Sequence, residues 1–288
     1  MFGFAEISAI IAKAGTKMTE TPMTREALAA VRAVRRRLSD GNRVRNDTEA
    51  VRYIEERGFA LLMPVAYTPL PSLSEADAAA PWEGFAITDR AWAWKETLPA
   101  LKLCSYGKFF YNRGTFISWR FYPAFLAAYG PAGDLREEYE AGRLGRLELT
   151  VAETVAAGGP ISSHDLWRKM KPVFNGKRTR FTAALDHLQM LFILTVAGGS
   201  LEGWTQHDWD LVERQVPPHV LENLPKPADA RAALLLQTLE NCVVATERQL
   251  RSLLRWTQAD MERRVQALTA EGKISRIRID GEEHFVLA

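Results

Sequence analysis

Residues 245–288 carry the pattern that most narrows what this chain can fold into. Thr246 is a good N-cap for a helix over 247–255, since its hydroxyl can accept a backbone N–H of the first turn. A short turn through Trp256 and Thr257 leads to a second helix over 258–270, whose Met261, Val265 and Leu268 recur at i, i+4 and i+7. Gly272 stands where a left-handed cap costs least. Strands over 273–279 and 283–287 flank Asp280-Gly281, a strong two-residue hairpin signal. Helix, turn, helix and hairpin make the outline of a winged helix-turn-helix, a module that often sets its second helix in a DNA groove. This points to a mode of binding rather than to a reaction.

The middle of the chain repeats this outline. Ser162 or Ser163 caps a helix carrying Leu166, as Thr246 caps the helix carrying Leu250. Phe181, Leu185 and Leu188 then match the spacing of Met261, Val265 and Leu268, and apolar residues follow at 192–196 as at 274–279. The middle copy has a longer turn, 172–176, and its wing is expected at Ala197-Gly198-Gly199-Ser200, leading to Trp204. An amphipathic helix precedes each copy, at 147–156 and 231–238. Two related units in one chain indicate a tandem architecture.

The N-terminal third gives weaker signals. A Thr24-capped helix over 24–38, a helix over 48–57 stopped by Gly58, and a buried strand over 59–65 read as a third, degenerate copy. Between modules lies an aromatic-rich piece: a helix with Trp92 and Trp94, then strands over 106–111 and 115–119 joined at Asn112-Arg113-Gly114. The expected fold is therefore mainly α with small β-hairpins, an α+β chain of three tandem winged helix-turn-helix modules. The expected divisions are an N-terminal extension with the degenerate copy (1–80), an aromatic helix-and-hairpin connection (81–132), a middle module (133–225) and a C-terminal module (226–288).

Composition narrows the function classes. In 288 residues, 47% hydrophobic, there is material for sizeable cores. Cys104 and Cys242 form no pair motif and the five histidines are scattered, so neither a disulfide framework nor a metal site is expected. No apolar run approaches the ~18 residues of a membrane span, and residues 1–14 lack the basic start of a signal peptide. The cytoplasm is the expected compartment. The net charge is only +2, but basic residues gather locally. Residues 168–180 hold Arg168, Lys169, Lys171, Lys177, Arg178 and Arg180 with no acid, 95–120 hold five bases against Glu96, and 251–278 hold seven against three acids. Such strips suit a phosphate backbone, and ordinary solvated surface is the alternative.

The candidate DNA-binding residues follow from these strips. Lys108 and Arg113 flank Phe109, Phe110 and Tyr111, so the hairpin could enter a minor groove or stack on a base, unless its aromatics are core. On the middle module Lys169, Lys177, Arg178 and Arg180 are candidates, with Thr182 and Gln189 off the apolar stripe. On the last module the equivalents are Arg263, Arg264, Lys273, Arg276 and Arg278, diluted by Asp260 and Glu262. Ser163-His164-Asp165 reads as helix-start residues, since a triad does not form from sequence neighbours. Gly158-Gly159-Pro160 and Ala197-Gly198-Gly199 read as turns, and Glu137, Glu138 and Glu140 as a solvated helix face.

Taken with Leu70-Pro71-Ser72-Leu73, Trp92-Ala93-Trp94-Lys95, Tyr106-Gly107-Lys108 and Thr115-Phe116-Ile117-Ser118, these modules resemble the AlkZ/YcaQ family of tandem winged-helix DNA glycosylases, and within it the AlkZ-related branch. The resemblance covers nearly the whole chain. It implies three winged helices around a concave surface for double-stranded DNA, no metal or organic cofactor, and a role in removing alkylated or crosslinked bases; a monomer is compatible with it. A non-catalytic DNA-binding or regulatory protein on the same scaffold is the alternative. The family's glutamine–apolar–glutamine or –aspartate triplet in the first domain has its counterpart near 59–67, Phe-Ala-Leu-Leu-Met-Pro-Val-Ala-Tyr, which holds neither glutamine nor carboxylate. Gln206-His207-Asp208 and Gln258-Ala259-Asp260 have the right end letters but lie outside that domain. The water-activating residue is thus unassigned by the sequence.

Overall fold

Three small antiparallel sheets set the plan of the molecule. The computed structural model describes residues 24–36, 43–66, 68–81, 87–110, 112–200 and 206–288. In each sheet a short strand precedes two helices, and the hairpin that follows folds back so that its second strand sits in the centre. This strand order, repeated three times, is the winged-helix arrangement. Expectations for residues 1–14, the end of the first helix at 37–38, Tyr67, Tyr111 and Trp204 lie outside the described residues.

Helix α1 (Arg25–Arg35) begins at Thr24, whose hydroxyl accepts the Ala27 N–H at 3.1 Å. It does not join the first sheet. Its Leu28 and Val31 pack with Val243, Val244, Ile279 and Val286, and the Arg32 guanidinium donates to the carbonyls of Cys242 (3.0 Å) and Val244 (2.9 Å). A cation there meets the unsatisfied carbonyl end of a long helix, where it is favoured. Helix α2 (Asp47–Arg57), capped by Asn46, ends at Gly58, which has φ +71° and no room for a Cβ against Phe121. Strand β1 (Phe59–Leu61), the single-turn α3 (Leu73–Ala76), α4 (Asp89–Ala100), β2 (Ser105–Phe110) and β3 (Arg113–Ile117) follow. Because β1 pairs with β3 in register Phe59 to Ile117, the aromatic hairpin is the wing of the first sheet. The expected connection at 81–132 is corrected accordingly: a division at residue 80 separates residues of one sheet. Periodicity shows that α1 is amphipathic but not which sheet its apolar face covers.

After α5 (Tyr122–Tyr129) and α6 (Leu135–Glu140), the middle unit runs α7 (Arg146–Gly158), β4 (Ile161–Ser162), α8 (Ser163–Met170), α9 (Arg178–Met190), β5 (Leu194–Ser200) and β6 (Gln206–Leu211). Ser162 caps α8 by accepting the Asp165 N–H. The longer turn between α8 and α9 has its own anchor, buried Phe174 set edge-on to Phe181. Two expectations are corrected here. Ala197-Gly198-Gly199 is strand rather than turn, because the glycines let β5 close on α4: a Cβ on Gly199 would stand 2.4 Å from Glu96 Oε2. Glu138 is buried rather than solvated. It accepts two hydrogen bonds from Arg143 (2.6 and 2.7 Å) and the N–H groups of Ala132 and Gly133, and the Arg143 bonds hold its carboxyl below the usual range.

Helices α10 (Val212–Gln215) and α11 (Pro218–Leu221) lead to the last unit: α12 (Pro227–Cys242), β7 (Val244–Ala245), α13 (Glu247–Leu254), α14 (Gln258–Ala270), β8 (Ile274–Ile279) and β9 (Glu282–Leu287). Thr246 and Gln249 form a capping box, and Asp280 and Gly281 take φ +51° and +82°, as a tight hairpin turn requires. Two shared cores join the three units. One runs from Tyr53 and Trp94 through Phe116 to Leu166 and Leu188; the other runs from Phe59, Phe110 and Phe125 to Leu235, Leu250 and Met261. The first sheet contributes to both, so it lies between the other two.

Candidate nucleic-acid interface

The second helix of a helix-turn-helix is the element that meets a groove, and the three copies differ sharply there. Helix α4 is enclosed. Ala91, Trp94, Lys95, Glu96, Leu98 and Pro99 are buried, Trp94 donates its indole N–H to Asp47 at 2.8 Å, and the helix packs against β5. The basic strip expected at 95–120 is partly engaged within the protein, although Lys102, Arg113 and Arg120 stay exposed. Lys95 is buried against Glu96 at 2.9 Å, Lys102 donates to the Arg214 carbonyl and Arg120 to the Glu55 carbonyl.

The hairpin is likewise structural. Phe109 stacks on Phe192 at 4.6 Å and Phe110 lies 5.1 Å from Phe59, ring centroid to centroid, with both phenylalanines buried. Lys108 is paired with Asp186 at 2.8 Å, and its N–H donates to Gln189 Oε1. Gln189, expected on the exposed side of its helix, is buried. Of this group Arg113 remains exposed.

Helix α9 divides in two along its length. Its C-terminal half packs on the first hairpin through Asp186 and Gln189, while Arg178, Thr179, Arg180, Thr182 and Ala183 are exposed. The preceding turn and the end of α8 are exposed as well, at Arg168, Lys169, Lys171 and Lys177. Arg168 is paired with Asp165 at 2.9 Å; Lys169, Lys171, Lys177, Arg178 and Arg180 have no acidic partner among the described residues. Arg178 lies 5.3 Å over the Trp167 ring, which holds the guanidinium at the surface without neutralising it.

The start of α9 differs from the starts of α4 and α14. Lys177 makes no side-chain cap and the first turn contains no acid. By contrast, α4 is capped by Thr88 with Asp89 beside it, and α14 by Thr257 with Asp260 beside it. An uncapped helix start forgoes roughly 1 kcal/mol, and arginines there oppose the helix dipole by a few tenths more each. Exposed N–H groups and cations at one helix start are the elements of an anion site.

Helix α14 presents the third arrangement. Met261, Val265 and Leu268 are buried and the rest is largely open, but its cations are matched. Arg263 meets Asp260 at 3.4 Å, Lys273 meets Glu271 at 2.7 Å and Arg276 meets Glu283 at 3.1 Å. Arg264 donates to the Ala228 carbonyl and stacks on Trp256. Arg278 is exposed without an acidic partner among the described residues.

The segment where a water-activating triplet is expected is apolar in its fold as in its letters. Phe59, Ala60, Leu61 and Leu62 are buried, and Met63 to Val65 partly so. Such side chains neither accept a proton nor stabilise positive charge. Gln258 and Asp260 serve the start of α14, by a bond to Glu262 at 2.7 Å and to Thr257. The sequence shows Glu96 and Lys95 as members of a basic strip and assigns them no role; both are buried, and His207 rests against Glu96. Their only signal was a charged pair on a helix with tryptophans. Among the described residues no group of acidic, histidine and cysteine side chains could hold a metal ion, and no helix is long and apolar enough to cross a membrane.

The AlkZ-related family model matches residues 44–255. Among solved structures, the Streptomyces sahachiroi DNA glycosylase AlkZ is similar with a TM-score of 0.60, over 93% of this chain and 71% of that one. Sequence identity is 14%, so the likeness is one of fold. No curated protein matches the chain.

Proposed function

Since this chain belongs to the AlkZ-related family, we propose that it is a duplex-DNA-binding repair protein that excises alkylated or crosslinked bases, gripping the backbone with its middle helix-turn-helix. The observation that carries the binding is the start of α9: uncapped, free of acid, exposed, and preceded by a turn of unpaired cations. Phosphate oxygens would supply the acceptors and negative charge that the helix lacks. Lys169, Lys177, Arg178 and Arg180 are assigned to the phosphates, with Thr182 near the groove. Lys108 and Arg264 are engaged within the protein, and Arg263, Lys273 and Arg276 are partly neutralised; these and Arg113 and Arg278 take a secondary part.

The excision half rests on the family and on the AlkZ fold. Duplex DNA carrying N-alkylated purines is the test: abasic sites should accumulate with protein, and affinity should fall steeply as salt rises. Binding without abasic sites would favour the second reading, a non-catalytic DNA-binding protein, which the apolar 59–66 segment supports. Absent or salt-insensitive binding would overturn both.

A further inference from the structure

The junction between α4 and the middle wing holds a group of charges that the fold itself does not require. Glu96 is 1% exposed and Lys95 2%, and the Lys95 ammonium meets the Glu96 carboxylate at 2.9 Å. Burial pulls the Lys95 ammonium below its ordinary range, and the carboxylate opposes that pull. His207 Nδ1 lies 2.9 Å from the same oxygen that Lys95 meets, Glu96 Oε1, and 3.1 Å from Oε2. Gly199 leaves the space that the carboxylate enters. Desolvating such charges is costly, and apolar side chains of similar volume commonly stabilise such a junction as well or better.

The imidazole is the member that reaches solvent, 26% exposed. Its Nδ1 is taken by Glu96, while Nε2 has no hydrogen-bond partner among the described residues. A buried carboxylate on Nδ1 fixes the tautomer with the proton on Nδ1 and the lone pair on Nε2. The rings of Tyr106 (6.0 Å) and Trp209 (5.4 Å) flank the imidazole, and the Ser163 hydroxyl donates to the His207 carbonyl. Ser163 opens α8, an eight-residue helix about 12 Å long whose other end carries the basic turn. That is about the width of a major groove. The other charge near the imidazole is Asp208 on its own strand, pushed above the usual carboxylate range by burial, by Glu96 and by Asp165 of α8, while His207 pulls it back.

We propose that His207 is the proton acceptor for base excision and Glu96 its positioning residue, a site that takes a water molecule beside the deoxyribose of an extruded nucleotide. This rests on the excision reading above. The water proton goes to His207 Nε2, the water oxygen forms a bond to C1′, and the C1′–N bond breaks with its electron pair leaving on the base. A cationic alkylated base departs neutral and the sugar is left as an abasic hemiacetal, so no oxidant or further reactant is needed.

The test is single-turnover excision on N7-methylguanine duplex DNA with DNA affinity measured alongside. His207→Ala should lower the rate ~100-fold or more with affinity within about twofold, and added imidazole should restore part of the rate. His207→Gln, with thermal melting unchanged, guards against a folding defect. Glu96→Gln should lower the rate less and move its pH profile. In wild-type protein, nitrogen-15 NMR should show the His207 proton on Nδ1. Wild-type excision with His207→Ala at full rate would overturn the dyad alone, as would a proton on Nε2. Wild-type binding without excision would overturn the excision reading and the dyad's role with it.

Discussion

The helix-turn-helix of the middle unit and that of the last unit have the same topology, yet they treat charge in opposite ways. In the last unit α14 is capped by Thr257, Asp260 sits in its first turn, and Arg263, Lys273 and Arg276 each meet an acid. In the middle unit α9 begins uncapped on Arg178 and Arg180, after a turn with no acid. The last unit is locally satisfied and gains little from an anion; the middle one is left wanting such a partner. Two copies of one fold thus differ in which is left electrostatically incomplete.

The comparison can be broken at several points. Reversing both charges with Arg178→Glu and Arg180→Glu should weaken duplex binding ~100-fold at moderate salt and lower the slope of log affinity against log salt by about two, measured by fluorescence anisotropy. Gly199→Val should cost about 2 kcal/mol of stability in denaturant unfolding, because its side chain has no space between Glu96 and the Gln206 carbonyl. Glu138→Gln sharpens the contrast through pH. Its carboxyl is held low by Arg143, so its contribution is present at neutral pH and is lost as pH falls through the folded-state value. The variant should lose roughly 1.5 kcal/mol at neutral pH and show a shallower decline in acid, followed by thermal melting. Smallest is the corresponding double reversal in the last unit: Arg263→Glu, at a cation already paired with Asp260, together with Arg278→Glu should weaken binding at most ~3-fold.

Features satisfied by near neighbours were legible in the sequence. Thr246 capped its helix, α14 spans the expected residues, and Asp280-Gly281 made its turn, since each depends on bonds within a few positions. Features settled across the fold were not. Lys108 reads as a free cation until Asp186 and Gln189 arrive from 78 and 81 residues away. Glu96 meets His207 across 111 positions, and α1 finds Cys242 across 210. The first sheet was misread for the same reason: β1 has three residues and its partner β3 lies past two helices and a strand. The basic strip at 168–180 kept its sequence reading because its cations are exposed and, Arg168 aside, meet no acid among the described residues.

The central claim is that the middle helix-turn-helix, and not the last, holds DNA. One salt titration of duplex binding, run on the wild type, the Arg178→Glu/Arg180→Glu protein and the Arg263→Glu/Arg278→Glu protein, tests it directly. The account predicts a steep wild-type slope that flattens in the first variant and persists in the second. A slope that flattens in the second variant and persists in the first would contradict it.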